Sequence, residues 1–289
     1  MSKFTSGKVY SRYRSATLTP VNKENKGVPE KCSPIYKPLS FRGKSPVTES
    51  SKSVHTSKIV DSLLSRSRGD HQSKILSSLN TVKALSTRYS SRQNRVKLQK
   101  KTGFESRKTL IFDLDETLVH CSNEIMIGSD IVMPIRLPDG ILSSLCVKVR
   151  PFAKECLIEA SRHFEVIVFT ASEKQYADPI ISFLDPSRKL IQHRLYREHC
   201  TSVHGVLVKD LRILNGRRLK DMVIVDNNVH SFGYQLENGI PIVSWFGDSE
   251  DQELKYLMDY FKKIKEAEDV RDINRNTFKL RELFQDYSL

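Results

Sequence analysis

The 289-residue sequence predicts an α/β fold, a parallel Rossmann-like sheet flanked by helices, preceded by a disordered N-terminal third. Three observations predict it. From Lys108 onward, short apolar runs alternate with longer helical patterns. Those runs are continuous rather than alternating, as expected of strands covered on both faces. The composition also breaks near residue 105. Residues 1–105 carry 22 Lys and Arg against 6 Asp and Glu, whereas the remaining 184 carry 25 against 28, so the basic character belongs to the first third alone. That third holds 20 serines and few aromatics, too little apolar surface to offset the entropy of ordering. The expected organisation is a basic, Ser-rich tail over 1–104 and a folded domain over 105–289.

Within the tail, Thr19-Pro20, Ser33-Pro34 and Ser45-Pro46 suit proline-directed kinases, and phosphate there would subtract charge from a basic segment. Such dipeptides are also common in any Ser/Pro-rich stretch. Ile75, Leu76, Leu79, Val82 and Leu85 recur at helical spacing beside Lys74, Lys83 and Arg88. A basic amphipathic helix and a transient helix with no partner both fit that pattern. In the folded part, the core strands are expected at Leu110-Ile111-Phe112, at Phe164 to Phe169, at Val223-Ile224-Val225 and at Ile240 to Trp245. Helices are expected over 151–162, 173–184, 250–265 and 275–285.

No stretch approaches the roughly 18 to 20 apolar residues of a membrane-spanning helix, and the first 30 residues lack a signal-peptide core. A soluble, nuclear or cytoplasmic protein is the expectation. The five cysteines (Cys32, Cys121, Cys146, Cys156, Cys200) are odd in number and form no CxxC pair, so neither a disulfide framework nor a thiolate zinc site is indicated.

The chemistry-bearing residues stand at the ends of the expected strands. The first strand runs into Asp113-Leu114-Asp115-Glu116-Thr117. Alternate residues of an extended segment share a face, so Asp113 and Asp115 can point the same way from the carboxyl end of a strand, where open α/β sheets bind ligands. Two carboxylates so close repel unless a cation or shared proton compensates, and Mg²⁺ with oxygen ligands is one solution. Labour can then divide, one carboxylate acting as nucleophile and the other as general acid and base. Thr170 ends the second strand, where its hydroxyl could hold a phosphoryl oxygen or cap the following helix. Asp226 and Asn227 end the third and suit a magnesium shell or a turn. Lys209, between them in sequence, could neutralise phosphoryl charge or be an ordinary surface lysine.

The run Asp113-Leu114-Asp115-Glu116-Thr117-Leu118-Val119-His120 closely resembles the DxDx(T/V) signature of haloacid-dehalogenase-like phosphatases, in their small C-terminal-domain phosphatase, NLI-interacting-factor-like branch. Phe169-Thr170-Ala171-Ser172, Val208-Lys209-Asp210-Leu211 and Ile224-Val225-Asp226-Asn227 resemble its second, third and fourth motifs. The resemblance covers roughly Lys108 to Met258. It implies Asp113 as the phosphorylated nucleophile, Asp115 as general acid/base, and Thr170 and Lys209 as phosphate contacts. It also implies Mg²⁺ held by Asp113, the backbone carbonyl of Asp115, and Asp226 and Asn227. The sequence departs from the pattern after the fourth motif, where Asn228-Val229-His230 replaces the Ser-Pro-Ala of some members; this bears on the loop and on substrate contacts.

Only 56 residues separate Asp113 from Thr170 and 38 separate Thr170 from Lys209, enough for a small β insertion but not for a large cap domain. An open site favours a phosphorylated side chain on a protein over a metabolite that must be enclosed. Ile125, Met126, Ile127, Ile131, Val132 and Ile135 in the insertion could form a substrate groove or simply pack a hairpin on the core. The expected activity is therefore a Mg²⁺-dependent protein serine/threonine phosphatase, with the C-terminal repeat tail of RNA polymerase II one candidate substrate among other phosphoproteins. A capless small-molecule phosphatase and a non-catalytic scaffold remain open alternatives. Electrostatics would also let the tail meet nucleic acid or an anionic surface, although little interleaved aromatic content supports base stacking.

Overall fold

The computed structural model describes residues 96–122, 128–136, 142–203 and 205–282, together with a two-residue strand at Thr19–Pro20. The amphipathic segment Ile75 to Leu85, Ser33-Pro34, Ser45-Pro46 and most of the expected tail lie outside the described residues. So do Ile125, Met126 and Ile127 of the expected groove.

The strands are β1 (Thr19–Pro20), β2 (Thr109–Phe112), β3 (Val119–Ser122), β4 (Ile131–Arg136), β5 (Leu142–Val149) and β6 (Glu165–Phe169). They continue as β7 (His193–Leu195), β8 (Thr201–Val203), β9 (Val206–Val208), β10 (Met222–Asp226) and β11 (Gly239–Pro241). Among the described residues four α-helices, α1 (Ala153–His163), α2 (Lys174–Leu184), α3 (Glu253–Glu266) and α4 (Val270–Phe278), complete the α/β fold. The central sheet has the order β11-β10-β2-β6-β7 and is parallel throughout. Every residue of β2, β6 and β10 is buried, which is why their sequences read as unbroken apolar runs.

The chain moves from β2 to β6 and β7 on one side, then returns to β10 and β11 on the other. The order therefore reverses at β2, and the crevice beyond the carboxyl ends of β2 and its neighbours is where such a sheet takes a ligand. Phe261 of α3 stands edge-on to Phe112 of β2, ring centroids 6.5 Å apart, and to Phe164 at 5.6 Å, which seats α1 and α3 together over the sheet.

Between β2 and α1 a small antiparallel sheet, ordered β1-β4-β5-β3, is inserted. The inserted segment supplies three of its strands, one more than the expected pair, and the tail supplies the fourth, with Thr19 opposite Val132. Its exit is pinned by Arg150. This buried guanidinium donates from Nε and Nη2 to the two carboxylate oxygens of Asp251, each at 2.9 Å, and from Nη1 to the carbonyl of Thr117 at 3.2 Å. One side chain thus ties the turn after β2 to the start of α3.

Three boundaries differ from expectation. Residues 96–104, assigned to the tail by composition, touch the folded body: the Val96 amide donates to the Ile213 carbonyl at 2.9 Å, and Arg217 Nη1 donates to the Leu98 carbonyl at 2.8 Å. The last helix begins at Val270 rather than near 275, because Asp269 caps it by accepting from the Arg271 amide, and Lys279 in the left-handed region (φ 49°) ends it. The fourth strand stops at Pro241, and residues 242–245 cross the carboxyl ends of the neighbouring strands, with the Trp245 amide donating to the Glu116 carbonyl at 2.9 Å.

At the other end of the sheet Glu165 accepts from Arg217 Nε and Thr109 Oγ1, both at 2.7 Å. Burial would raise this carboxyl, but the nearby His193, 3.5 Å away, and the hydrogen bonds from Arg217 and Thr109 hold it down at about 2. Gly239 opens β11 where the ring of Phe232 lies directly over the backbone. A Cβ there would fall 2.0 Å from Phe232 Cε2. Gly239→Ala is therefore expected to lower stability by about 1–3 kcal/mol, the usual cost of overpacking, read as a reduced midpoint in denaturant unfolding with unchanged slope. Among the described residues no helix is long and apolar enough to cross a membrane.

Candidate active site

The site is assembled at the switch point by adjacent parallel strands. β2 and β10 are in register, Phe112 opposite Val225, so Asp113 and Asp226 leave neighbouring strand ends; the Asp113 amide donates to the Val225 carbonyl at 2.9 Å. Lys209, just past β9, is fully buried between them. Its Nζ donates to Asp113 Oδ1 at 2.5 Å and to Asp226 Oδ2 at 2.6 Å. The ordinary surface lysine of the bland reading is thus excluded. The Lys209 backbone is itself fixed by a hydrogen bond from its amide to the Ser231 carbonyl.

Burial opposes charge on this ammonium, but Asp113 and Asp226 outweigh it and hold Lys209 protonated, above the ordinary lysine value. Asp113 moves the other way from what a single ion pair would give: burial pushes its carboxyl up, Lys209 pulls it down, and the charges of Asp226 and Asp115 push it up again. The two directions are compatible: Lys209 has two carboxylate partners and stays charged, while Asp113, buried and near two other carboxylates, is the group that favours its protonated form.

Asp115 faces a different wall. Its Oδ1 accepts from the Tyr176 hydroxyl at 2.5 Å, and its Oδ2 accepts from Ser172 Oγ at 2.6 Å and from Thr170 Oγ1 at 3.4 Å. Thr170 Oγ1 also accepts the Ser172 amide at 2.9 Å, which closes the turn after β6; it does not cap α2, whose N-cap position is Glu173 with no side-chain cap bond. Burial and the charge of Asp115 raise the Tyr176 phenol far above its ordinary value, so it remains a donor. Directly after Asp115 the chain turns sharply: Glu116 is left-handed (φ 57°), its amide donating to the Val119 carbonyl at 2.7 Å. Thr117 Oγ1 reaches Asp113 Oδ2 at 3.4 Å.

Asn227 turns away from Lys209. Its Nδ2 donates to Ser244 Oγ at 3.0 Å and its Oδ1 accepts from Asn228 Nδ2 at 3.2 Å, while Asp226 Oδ1 accepts the Asn228 amide at 2.8 Å. His230, in the loop that departs from the motif, is half-buried, and burial lowers its pKa. Among the described residues no three His, Cys, Asp or Glu side chains are grouped to hold a metal by themselves. The side-chain groups gathered here nonetheless suit a hard dication: Asp113, Asp115 and Asp226 offer oxygen donors at the ends of adjacent strands, the ligand type such a cation takes.

The profile of the NLI interacting factor-like phosphatases matches residues 108–271. The chain belongs to this family. A C. elegans relative, CTD small phosphatase-like protein 3, is 44% identical over 190 residues, covering 65% of this chain and 66% of that one. CTD small phosphatase-like protein 2 of Dictyostelium discoideum is 45% identical over 175 residues, covering 61% of this chain and 30% of the relative. This member of the family thus spans 30–66% of the length of these curated relatives. A solved structure of Fcp1, titled as an essential RNA polymerase II CTD phosphatase, gives a TM-score of 0.43 at 21% identity, covering 63% of each chain.

For this NLI interacting factor-like chain, the structure brings Asp113, Asp226 and Lys209 into one hydrogen-bonded group and Asp115 with Thr170 into another. Asn227 borders the first without bonding to it. Sequence reasoning missed the contacts of Ser172, Tyr176 and Thr117. Ser172 stood inside the quoted second motif, and Tyr176 lies one helical turn beyond it, which was the available signal.

Proposed function

We propose that this chain is a phosphoprotein phosphatase that removes phosphate from phosphoserine or phosphothreonine through an aspartyl-phosphate on Asp113, with Mg²⁺ as cofactor. The observation that carries the reading is the buried Lys209, shared between Asp113 and Asp226 at the switch point of the sheet. An Asp113 oxygen attacks phosphorus as the bond from phosphorus to the serine oxygen breaks, and Asp115 gives its proton to that oxygen. In the second half, Asp115 takes a proton from the water that attacks phosphorus, and the bond to Asp113 breaks. Lys209 and the Thr170 hydroxyl would meet the phosphoryl oxygens. Asp113, the Asp115 carbonyl and Asp226 or Asn227 would hold Mg²⁺, which supplies charge neutralisation at the phosphoryl group.

The small insertion and the names of the relatives support a phosphorylated protein segment as substrate, the repeat tail of RNA polymerase II being one candidate. The expected result is phosphate release from phosphoserine and phosphothreonine peptides that is restored by Mg²⁺ after chelation, with kcat/KM above that for free phosphorylated metabolites. Release that ignores chelation would remove the metal from the reading, and faster turnover of metabolites would replace the substrate class.

A further inference from the structure

Both oxygens of Asp115 are occupied by hydroxyl donors that come from one short stretch of chain. Ser172 lies in the turn after β6, and Tyr176 lies in the first turn of α2. They grip opposite oxygens of the carboxyl group at 2.6 and 2.5 Å, while the Thr170 hydroxyl stands 3.4 Å from the oxygen that Ser172 holds. The Ser172 amide, bonded to Thr170 Oγ1, fixes this stretch in turn. Neither Ser172 nor Tyr176 bonds Asp113, whose side-chain partners are Lys209 and Thr117.

We propose that Ser172 and Tyr176 are positioning residues for Asp115, a two-point clamp that aims its carboxyl group at the oxygen leaving phosphorus. The proposal rests on the phosphatase reading above. A carboxyl group on a short side chain can rotate about both of its torsions, and only one orientation delivers a proton to the leaving oxygen. Hydrogen bonds to both oxygens from a rigid strand-to-helix junction fix the plane of the group before substrate arrives. Oδ1 has Tyr176 as its one donor and keeps a second acceptor position, while Oδ2 carries only the long Thr170 contact beside Ser172, so the clamp leaves room for the proton that is passed. In the step concerned, the bond from Asp113 oxygen to phosphorus forms, the bond from phosphorus to the substrate oxygen breaks, and the Asp115 proton ends on that oxygen.

The clamp therefore predicts a loss that depends on the leaving group. Serine leaves as a strongly basic alkoxide unless protonated, whereas p-nitrophenolate needs no proton. kcat/KM, which reports the steps through formation of phospho-Asp113, separates the two cases. The experiment compares the full chain with Tyr176→Phe and Ser172→Ala on a phosphoserine peptide and on p-nitrophenyl phosphate, with Mg²⁺ present. Each variant is expected to lose about 10- to 100-fold on the peptide, as for a small misplacement of a catalytic group, and roughly tenfold less on the aryl ester. In an Asp115→Asn background the Tyr176→Phe change should cost nothing further on the peptide, because the group it orients is gone.

Equal losses on both substrates, or a full additional loss in the Asp115→Asn background, would overturn the clamp and leave packing as the role of these side chains. Ser172→Ala removes one hydroxyl from a loop and keeps the comparison decisive should Tyr176→Phe fold poorly. Failure of the underlying reading looks different: the unsubstituted chain would release no phosphate from either substrate, which overturns both.

Discussion

Asp113→Asn is expected to abolish turnover while leaving the fold intact. The amide keeps the shape of the side chain and can still accept from Lys209 through its oxygen, but it is no nucleophile. Loss of a covalent nucleophile typically removes about 10⁴-fold or more in kcat. Stability should not fall with it. Asp113 is lifted by its own burial and by the charges of Asp226 and Asp115, so removing one negative charge relieves repulsion and leaves Lys209 paired with Asp226. The discriminating result is a variant that unfolds at or above the temperature of the unsubstituted chain and releases no phosphate from an aryl ester. Residual turnover above the expected fraction would assign the nucleophile elsewhere.

Lys209→Met is expected to show the opposite balance, a large loss of stability together with loss of activity. The methionine fills a similar volume, but Asp113 and Asp226 then face each other, buried, without the ammonium that joined them. Breaking a buried ion pair from one side typically destabilises by about 3–5 kcal/mol. The sign of the pH dependence follows from the direction of the carboxyl shift. In the variant Asp113, already raised by burial, loses the pull of Lys209, so its folded-state pKa rises further above the unfolded one. A raised carboxyl contributes its stability below the unfolded pKa and loses it as pH rises through the folded one. The deficit should therefore be smallest in the ordinary carboxylate range and grow as pH rises through and beyond neutrality. Adding Asp226→Asn should recover part of it. Urea unfolding at several pH values checks this, and a deficit that stays flat with pH would mean that charge is not its cause.

The parts of this molecule that were legible in its sequence are those where one residue's environment is set by its neighbours in the chain. β2, β6 and β10 read clearly because burial on both faces forces unbroken apolar runs. Asp113, Thr170 and Asp226 stood out because each closes such a run, whereas Lys209 follows the shorter, half-buried β9 and by itself also read as an ordinary surface lysine. What could not be read is what depends on distant pairing. Tyr176 and Ser172 meet Asp115 across 61 and 57 positions, and Arg150 meets Asp251 across 101. Nothing local in those side chains announces a partner. α4 starts at Val270, ahead of the expected 275, because Asp269 acts as a cap through its contact with the Arg271 amide. Residues 242–245 kept an apolar texture after the strand ended because Ile242 and Trp245 are buried over the strand ends rather than in the sheet.

The central place of β2 governs how the molecule comes into being. β2 is synthesised first among the core strands, yet one of its neighbours, β10, begins more than a hundred positions later, and Lys209 joins Asp113 across 96. Closing a loop of that length costs entropy before any contact repays it, and such non-local pairings slow folding. A nascent chain that has emerged only through α2 carries Asp113, Asp115 and Thr170 but neither the cation nor the third carboxylate, and the flank of β2 that β10 will cover is still bare. Competence therefore arises late and all at once, when β10 slots in beside β2. Until then the open edge of β2 presents unpaired backbone N–H and C=O groups beside the apolar side chains of Leu110, Ile111 and Phe112, a template for pairing with other chains.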